Sequence, residues 1–162
     1  MKNDLIEELF RKYYNEAVLY TLSLCRNTAL AEDIVSEAFF KALSSADDSI
    51  ANFKPWLLTV CRNEFLMHCR KQRQISVVEL TEETAVQEDD TLNRIIKQEA
   101  YRELYHTLSM LPDNQKEIII LFYFNGLHVN EISDVVGKSE SNVKVLLHRG
   151  REELRKQMEV FR

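Results

Sequence analysis

The sequence predicts an all-α protein, two small helical domains joined by a flexible acidic linker. Three observations carry that prediction. The 162 residues hold only three Gly and two Pro, while 45% of the side chains are apolar. Helix breakers are therefore scarce, and there is enough apolar material for real cores. Apolar positions recur at helical rather than strand spacing over most of the length. One stretch, SVVELTEETAVQEDDTLN at 76–93, breaks that rhythm with six acids and no base. Such composition marks a linker. The domains are expected at 1–74 and 93–162, with the linker at 75–92.

In the first domain, residues 4–26 place Leu5, Leu9, Tyr13, Val18, Leu22 and Cys25 near helical spacing. Residues 29–43, ALAEDIVSEAFFKAL, turn Leu30, Ile34, Ala38 and Leu43 inward, with Val35 and Phe39 nearby. Asp33 and Glu37 stand four apart, an acidic pair on one face. Ser44 to Asn52 reads as a short polar loop. Asn52 and Pro55 then start a long helix, FKPWLLTVCRNEFLMHCRKQ. Its apolar side holds Trp56, Leu57, Val60, Cys61, Phe65 and Met67. Arg62, Arg70, Lys71 and Arg73 against only Glu64 make its second half cationic.

Beyond the linker, helical spacing resumes at Leu92, Ile95, Ile96, Tyr101, Leu104 and Leu108. Pro112 suits the opening of the next helix, where a missing N–H costs nothing. Asn125-Gly126 closes it. A short helix over about 129–136 stripes Val129, Ile132, Val135 and Val136 on one side. Gly137 supplies the left-handed turn, and Ser139 the N-cap of a last helix. In that helix Val143, Leu147, Gly150 and Leu154 form a buried face. Lys144, His148, Arg151 and Arg155 repeat the spacing one residue later as an outward cationic stripe. Helix, glycine turn and basic helix are the parts of a helix-turn-helix, which presents its second helix to the DNA major groove.

The net charge of −5 does not oppose nucleic-acid binding. Residues 1–75 hold ten acids and ten bases, and residues 101–162 nine of each, so the whole excess lies in 76–100. Local basic patches decide, not the total. Catalysis has no support. There is no phosphate-binding glycine motif, and the four histidines and three cysteines show no ligand spacing, so neither cofactor nor metal is expected. Cys25, Cys61 and Cys69 read as reduced thiols of a cytosolic protein. No apolar run approaches the roughly 20 residues of a membrane span, and a cytoplasmic protein is expected. Phe53 beside Asn52 at the start of a cationic helix offers an aromatic face for an unstacked base.

With these residues in view, the chain resembles the extracytoplasmic-function (ECF) sigma factors of the sigma-70 family. LAEDIVSEAFFKAL is similar to the segment that grips core RNA polymerase. FKPWLLTVCRNEFLMHCRKQ resembles the element that reads and opens the −10 region, and LPDNQKEIIILFYFNGLHVNEISDVVGKSESNVKVLLHRGREEL the domain that reads the −35 element. The resemblance implies a region 2-like domain at 1–74 and a region 4-like domain at 93–162. It puts Asp33 and Glu37 against core polymerase. Asn52 and Phe53 would border the pocket for a flipped non-template base, and Arg62, Arg70, Lys71 and Arg73 would follow the DNA backbone. Asn142, Lys144, Val145, His148 and Arg149 would lie over the −35 groove. It further implies an anti-sigma partner, often membrane-anchored. Departures from the family pattern are His128 at a position usually held by a hydroxyl N-cap, Lys138 in the turn, and Leu146 where a polar residue is frequent. From the residues alone, a stand-alone helix-turn-helix repressor or activator, binding duplex DNA as a dimer, is the competing reading.

Overall fold

A computed structural model of the chain describes residues 2–44, 52–73 and 90–160. They form helices throughout, with no strand among the described residues. The Ser44–Asn52 loop and the acidic linker fall largely outside these residues. In order come α1 (Lys2–Cys25), α2 (Thr28–Ser44), α3 (Phe53–Gln72), α4 (described over 90–95), α5 (Glu99–Leu108), α6 (Asp113–Tyr123), α7 (Val129–Val136) and α8 (Glu140–Val160). The chain divides into two compact units, Met1–Thr91 and Leu92–Arg162.

Unit 1 is a three-helix bundle, with α1 packed on α2 and α3, and α2 on α3. Arg26, at a φ of 54°, reverses the chain after α1. Asn27 then caps α2, its Oδ1 accepting the Leu30 N–H at 3.0 Å. Val18, Tyr20, Leu22, Val35, Ala38, Leu57 and Leu58 are fully buried. Each large side chain so removed from water is worth roughly 1.5–3 kcal/mol before entropy is counted. Phase errors of one residue separate this core from the predicted one. Ile6 is buried and Leu5 exposed; Ala42 is buried and Leu43 exposed; Leu58 is buried while Trp56 and Met67 are exposed. Helices crossing at an angle sample a broad apolar stripe, and sequence spacing alone does not say which edge is covered.

Cys61 lies in this core. Burial pushes its thiol up to about 12, so it stays protonated. A thiol raised in the fold favours folding below its ordinary value, and that contribution is lost as pH climbs toward 12. At neutral to mildly alkaline pH, iodoacetamide is expected to modify the partly exposed Cys25 and Cys69 and spare Cys61 until the chain is unfolded. Equal labelling of all three in the native protein, read by peptide mass, would contradict a closed core there.

Unit 2 is built on α6 and α8, with α5 and α7 packed against them. Ile118, Ile119, Ile120, Leu121, Ile132 and Val143 are almost completely buried. Arg102 ties down the entry to α5, donating to the carbonyls of Ile96 and Lys97 at 2.7 and 2.9 Å. Pro112 is the N-cap of α6, one residue ahead of its first turn, and its carbonyl accepts from Gln115 and Lys116. Gly126 has φ of 67°, and Leu127 N–H returns to the Leu121 carbonyl at 3.0 Å. Leu146 is buried with Val143, Leu147 and Gly150, so its apolar character has a core reason.

Candidate nucleic-acid interface and docking face

The turn between α7 and α8 is defined by local chemistry. The Glu131 carboxylate reaches back to accept the His128 N–H at 2.9 Å, so α7 is capped although His128 is not a hydroxyl residue. Gly137 adopts a left-handed φ of 69° and donates to the Ser133 carbonyl at 3.0 Å. The Ser133 hydroxyl donates to the Lys138 carbonyl, which binds the turn to the helix before it. Ser139 then caps α8, its hydroxyl accepting the Asn142 N–H at 3.1 Å. With Val143, Leu146, Leu147 and Gly150 turned inward, Asn142, Lys144, Val145, His148 and Arg149 are all exposed on the opposite side. The structure thus brings the five predicted −35 residues to one open helix face.

The cationic stripe expected on α8 is open at Lys144 and His148 and braced or paired beyond them. Arg151 does not project freely: its Nε donates to the Tyr123 hydroxyl at 2.7 Å, and its guanidinium lies 5.3 and 5.6 Å from the ring centres of Phe122 and Tyr123. Arg155 pairs with Glu152 at 3.4 Å. Lys144, His148 and Arg149 remain as the open basic residues of the face.

In unit 1 the structure sorts the predicted residues into two surfaces. Asp33 and Glu37 are exposed on α2. They border a groove of about 260 Å³ with Leu30, Ile34, Glu64, Met67, His68 and Lys71. Phe40, three residues beyond Glu37, is 61% exposed and continues the acidic stripe with an aromatic ring. Sequence reasoning missed it; the signal was its i+3 spacing from Glu37, obscured by the neighbouring Phe39, which is core. Lys41 pairs with Glu64 across α2 and α3. Lys71, which lines the same groove, belongs to the α2-facing side of α3, apart from Arg62, Arg70 and Arg73. Arg70 and Arg73 are exposed and Arg62 half-buried on the remaining flank.

Phe53 is a correction. As the first residue of α3 it is 7% exposed, wedged among Tyr13, Phe39 and Trp56 with ring centres 5.9, 5.8 and 5.7 Å away. Its ring is core because α1, α2 and α3 converge there. The open aromatic at this helix start is Trp56, 39% exposed. Asn52 is exposed at the N-cap, and its side chain makes no capping bond, which leaves its amide available outward. Among the described residues, no group of three or more His, Cys, Asp or Glu is placed to hold a metal, and no helix is long and apolar enough to cross a membrane.

Comparison with known proteins gives this arrangement a family. Sigma-70 region 2 matches residues 9–75, and sigma-70 region 4 matches residues 101–154. The chain is 31% identical to the RNA polymerase sigma factor YlaC of Bacillus subtilis (strain 168), over 96% of this chain and 92% of that one. It is likewise 31% identical to the ECF RNA polymerase sigma factor SigM of the same organism, over 93% of each. The sigma factor RpoE from Bartonella quintana, solved in complex with the anti-sigma factor NepR, shares the fold with a TM-score of 0.70 at 23% identity, over the full length of both chains. CnrH, solved with the cytosolic domain of CnrY, shares it at 0.65 and 19% identity, over 98% of this chain and 90% of that one. The chain belongs to the ECF sigma factors of the sigma-70 family, the subunits that give RNA polymerase its promoters. That membership displaces the stand-alone regulator reading.

Proposed function

We infer that the two units divide the work of promoter recognition by surface. In unit 1, the Asp33–Glu37–Phe40 stripe docks on a basic, partly apolar surface of core polymerase. On the same unit, exposed Asn52 and Trp56 at the start of α3 receive a base flipped from the −10 region. Stacking on an aromatic ring is worth roughly 1–3 kcal/mol per base, which offsets the cost of unstacking. Arg62, Arg70 and Arg73 neutralise the phosphates of that strand. In unit 2, α8 enters the −35 major groove with Asn142, Lys144, Val145, His148 and Arg149. Phosphate contacts set its position, and base-edge contacts set the sequence.

The observation that carries this reading is the open face of α8. Five consecutive-turn residues able to contact DNA are exposed together, above a helix whose other side is closed by core. The acidic excess of residues 76–100 suits a channel that otherwise holds nucleic acid, since it presents the sign of a phosphate chain. One structural neighbour, RpoE, was solved with the anti-sigma factor NepR. A protein of that class, covering the α2 stripe and the α8 face, would keep this chain from polymerase and promoter.

The test is reconstitution. Core bacterial polymerase mixed with this chain is expected to form a holoenzyme on gel filtration and to yield new run-off transcripts from genomic fragments. Permanganate reactivity of melted thymines should appear upstream of the start. Asn52→Ala is expected to leave the closed complex intact and slow the appearance of that reactivity. Equal opening rates in both proteins would take Asn52 out of the strand-binding surface.

A further inference from the structure

Arg151 is more than a brace between α6 and α8. A guanidinium carries five N–H donors, and among the described residues only Nε has a hydrogen-bond partner, the Tyr123 hydroxyl at 2.7 Å. The cations that follow it on α8 have acids of their own: Arg155 has Glu152, and Lys156 has Glu153. Among the described residues no carboxylate is paired with Arg151, so its charge is held in place but not neutralised. Phe122 and Tyr123, whose rings meet edge-on at 75°, hold the guanidinium carbon 5.3 and 5.6 Å from their centres and leave the two Nη groups as a planar fork. The Tyr123 oxygen accepts from Arg151, and its own O–H proton remains free to donate. Tyr123 is 52% exposed, and Arg151 is exposed beside it.

This donor set lies on the same stripe as Lys144 and His148, seven and three residues earlier. At about 1.5 Å of rise per residue, Arg151 is roughly 10 Å along α8 from Lys144. We propose that Arg151, aimed by Tyr123 and Phe122, is a phosphate-binding residue: its Nη fork and the Tyr123 hydroxyl clasp one backbone phosphate of the duplex that α8 enters. The assignment rests on the duplex-binding reading of α8 and adds to it a residue pair contributed jointly by α6 and α8. A planar fork matches two phosphate oxygens at once. Because the rings already order the side chain, little freedom remains to be lost when the phosphate arrives.

The experiment uses the full-length chain and mixed-sequence duplex DNA, with affinity read by fluorescence anisotropy over a sodium chloride series. Arg151→Met keeps the apolar stem against the rings and removes the charge. It is expected to weaken binding about three- to tenfold and to lower the slope of log K against log salt by about 0.9, the signature of one lost phosphate contact. Tyr123→Phe is expected to weaken binding while leaving the slope unchanged, since the charge stays but its aim and one donor are lost. Arg151→Lys should likewise keep the slope and lose affinity, because an ammonium cannot fork. Thermal melting is recorded for each variant. If Arg151→Met does not fold, Tyr123→Phe and Arg151→Lys decide, and wild-type affinity in both overturns the assignment. An unchanged slope in folded Arg151→Met, with a reduced slope in Lys144→Ala, makes Arg151 a packing residue and leaves the duplex reading of α8 standing. Absence of any salt-dependent duplex binding by the unaltered chain removes both.

Discussion

Replacing Asp33 and Glu37 together by lysine is expected to lower the affinity of this chain for core polymerase by about two orders of magnitude, roughly 3 kcal/mol. Both carboxylates are exposed, so the fold itself has little stake in them. A single exposed pair would contribute ~1 kcal/mol or less. Reversal does more than delete attraction, because it sets like charges against a surface that must be basic to fit the wild-type stripe. The loss should shrink as salt is raised, since screening weakens repulsion as well as attraction. Phe40→Ala, which leaves the charge alone, should weaken binding at every salt concentration by a similar factor. Surface-plasmon titration against immobilised core measures all three. Wild-type affinity in the double reversal would remove α2 from the docking surface, and the Leu30–Ile34–Met67 groove would need another occupant.

The second large effect is on stability. A Cβ added at Gly150 would stand 2.7 Å from Ile119 Cγ1 and 3.0 Å from its Cδ1. Ile119 is wholly buried, and the Cγ1 atom is not the free end of its chain. Gly150→Ala gains about 1 kcal/mol of helix propensity but meets an overpacking cost of roughly 1–3 kcal/mol. The balance is a net loss of about 1 kcal/mol. Gly150→Val adds two more carbons and gives up most of the propensity gain, so its loss should reach about 3 kcal/mol. For a unit of this size each kcal/mol lowers the melting temperature by about 4–8 °C. Differential scanning calorimetry should show the unit 2 transition falling in the order wild type, Ala, Val. A Gly150→Ala transition at or above the wild-type temperature would mean that Ile119 finds another rotamer at no cost. Because α8 carries the residues proposed to enter the −35 groove, the same substitutions should also disturb duplex binding without touching any of those side chains.

The helix-turn-helix was legible because its signals are local. Gly137 and Ser139 fix the turn through backbone geometry and one hydroxyl, each within four residues of its partner. The inward set Val143, Leu147 and Gly150 obeys a single period, and the exposed set follows as its complement. What spacing could not reveal depends on contacts between distant residues. Arg151 meets Tyr123 across 28 positions, and nothing in the local pattern tells a paired arginine from a free one. Phe53 and Trp56 differ by less than one helical turn, and which is covered depends on where Tyr13 and Phe39 arrive from other helices. Lys71 adjoins Arg70 in sequence, but α2 lies against its side of α3.

The division at Thr91 and Leu92 gives each unit a core of its own. Inheritance can act on such a chain as on two separate words. If α8 reads the promoter and α2 meets the polymerase, as proposed above, substitutions over the outer face of α8 would rewrite the address without altering the handle by which the polymerase is held. Substitutions along α2 would retune the handle while the address stays legible. New promoter preferences could thus accumulate one exposed residue at a time, with the core of each unit left alone.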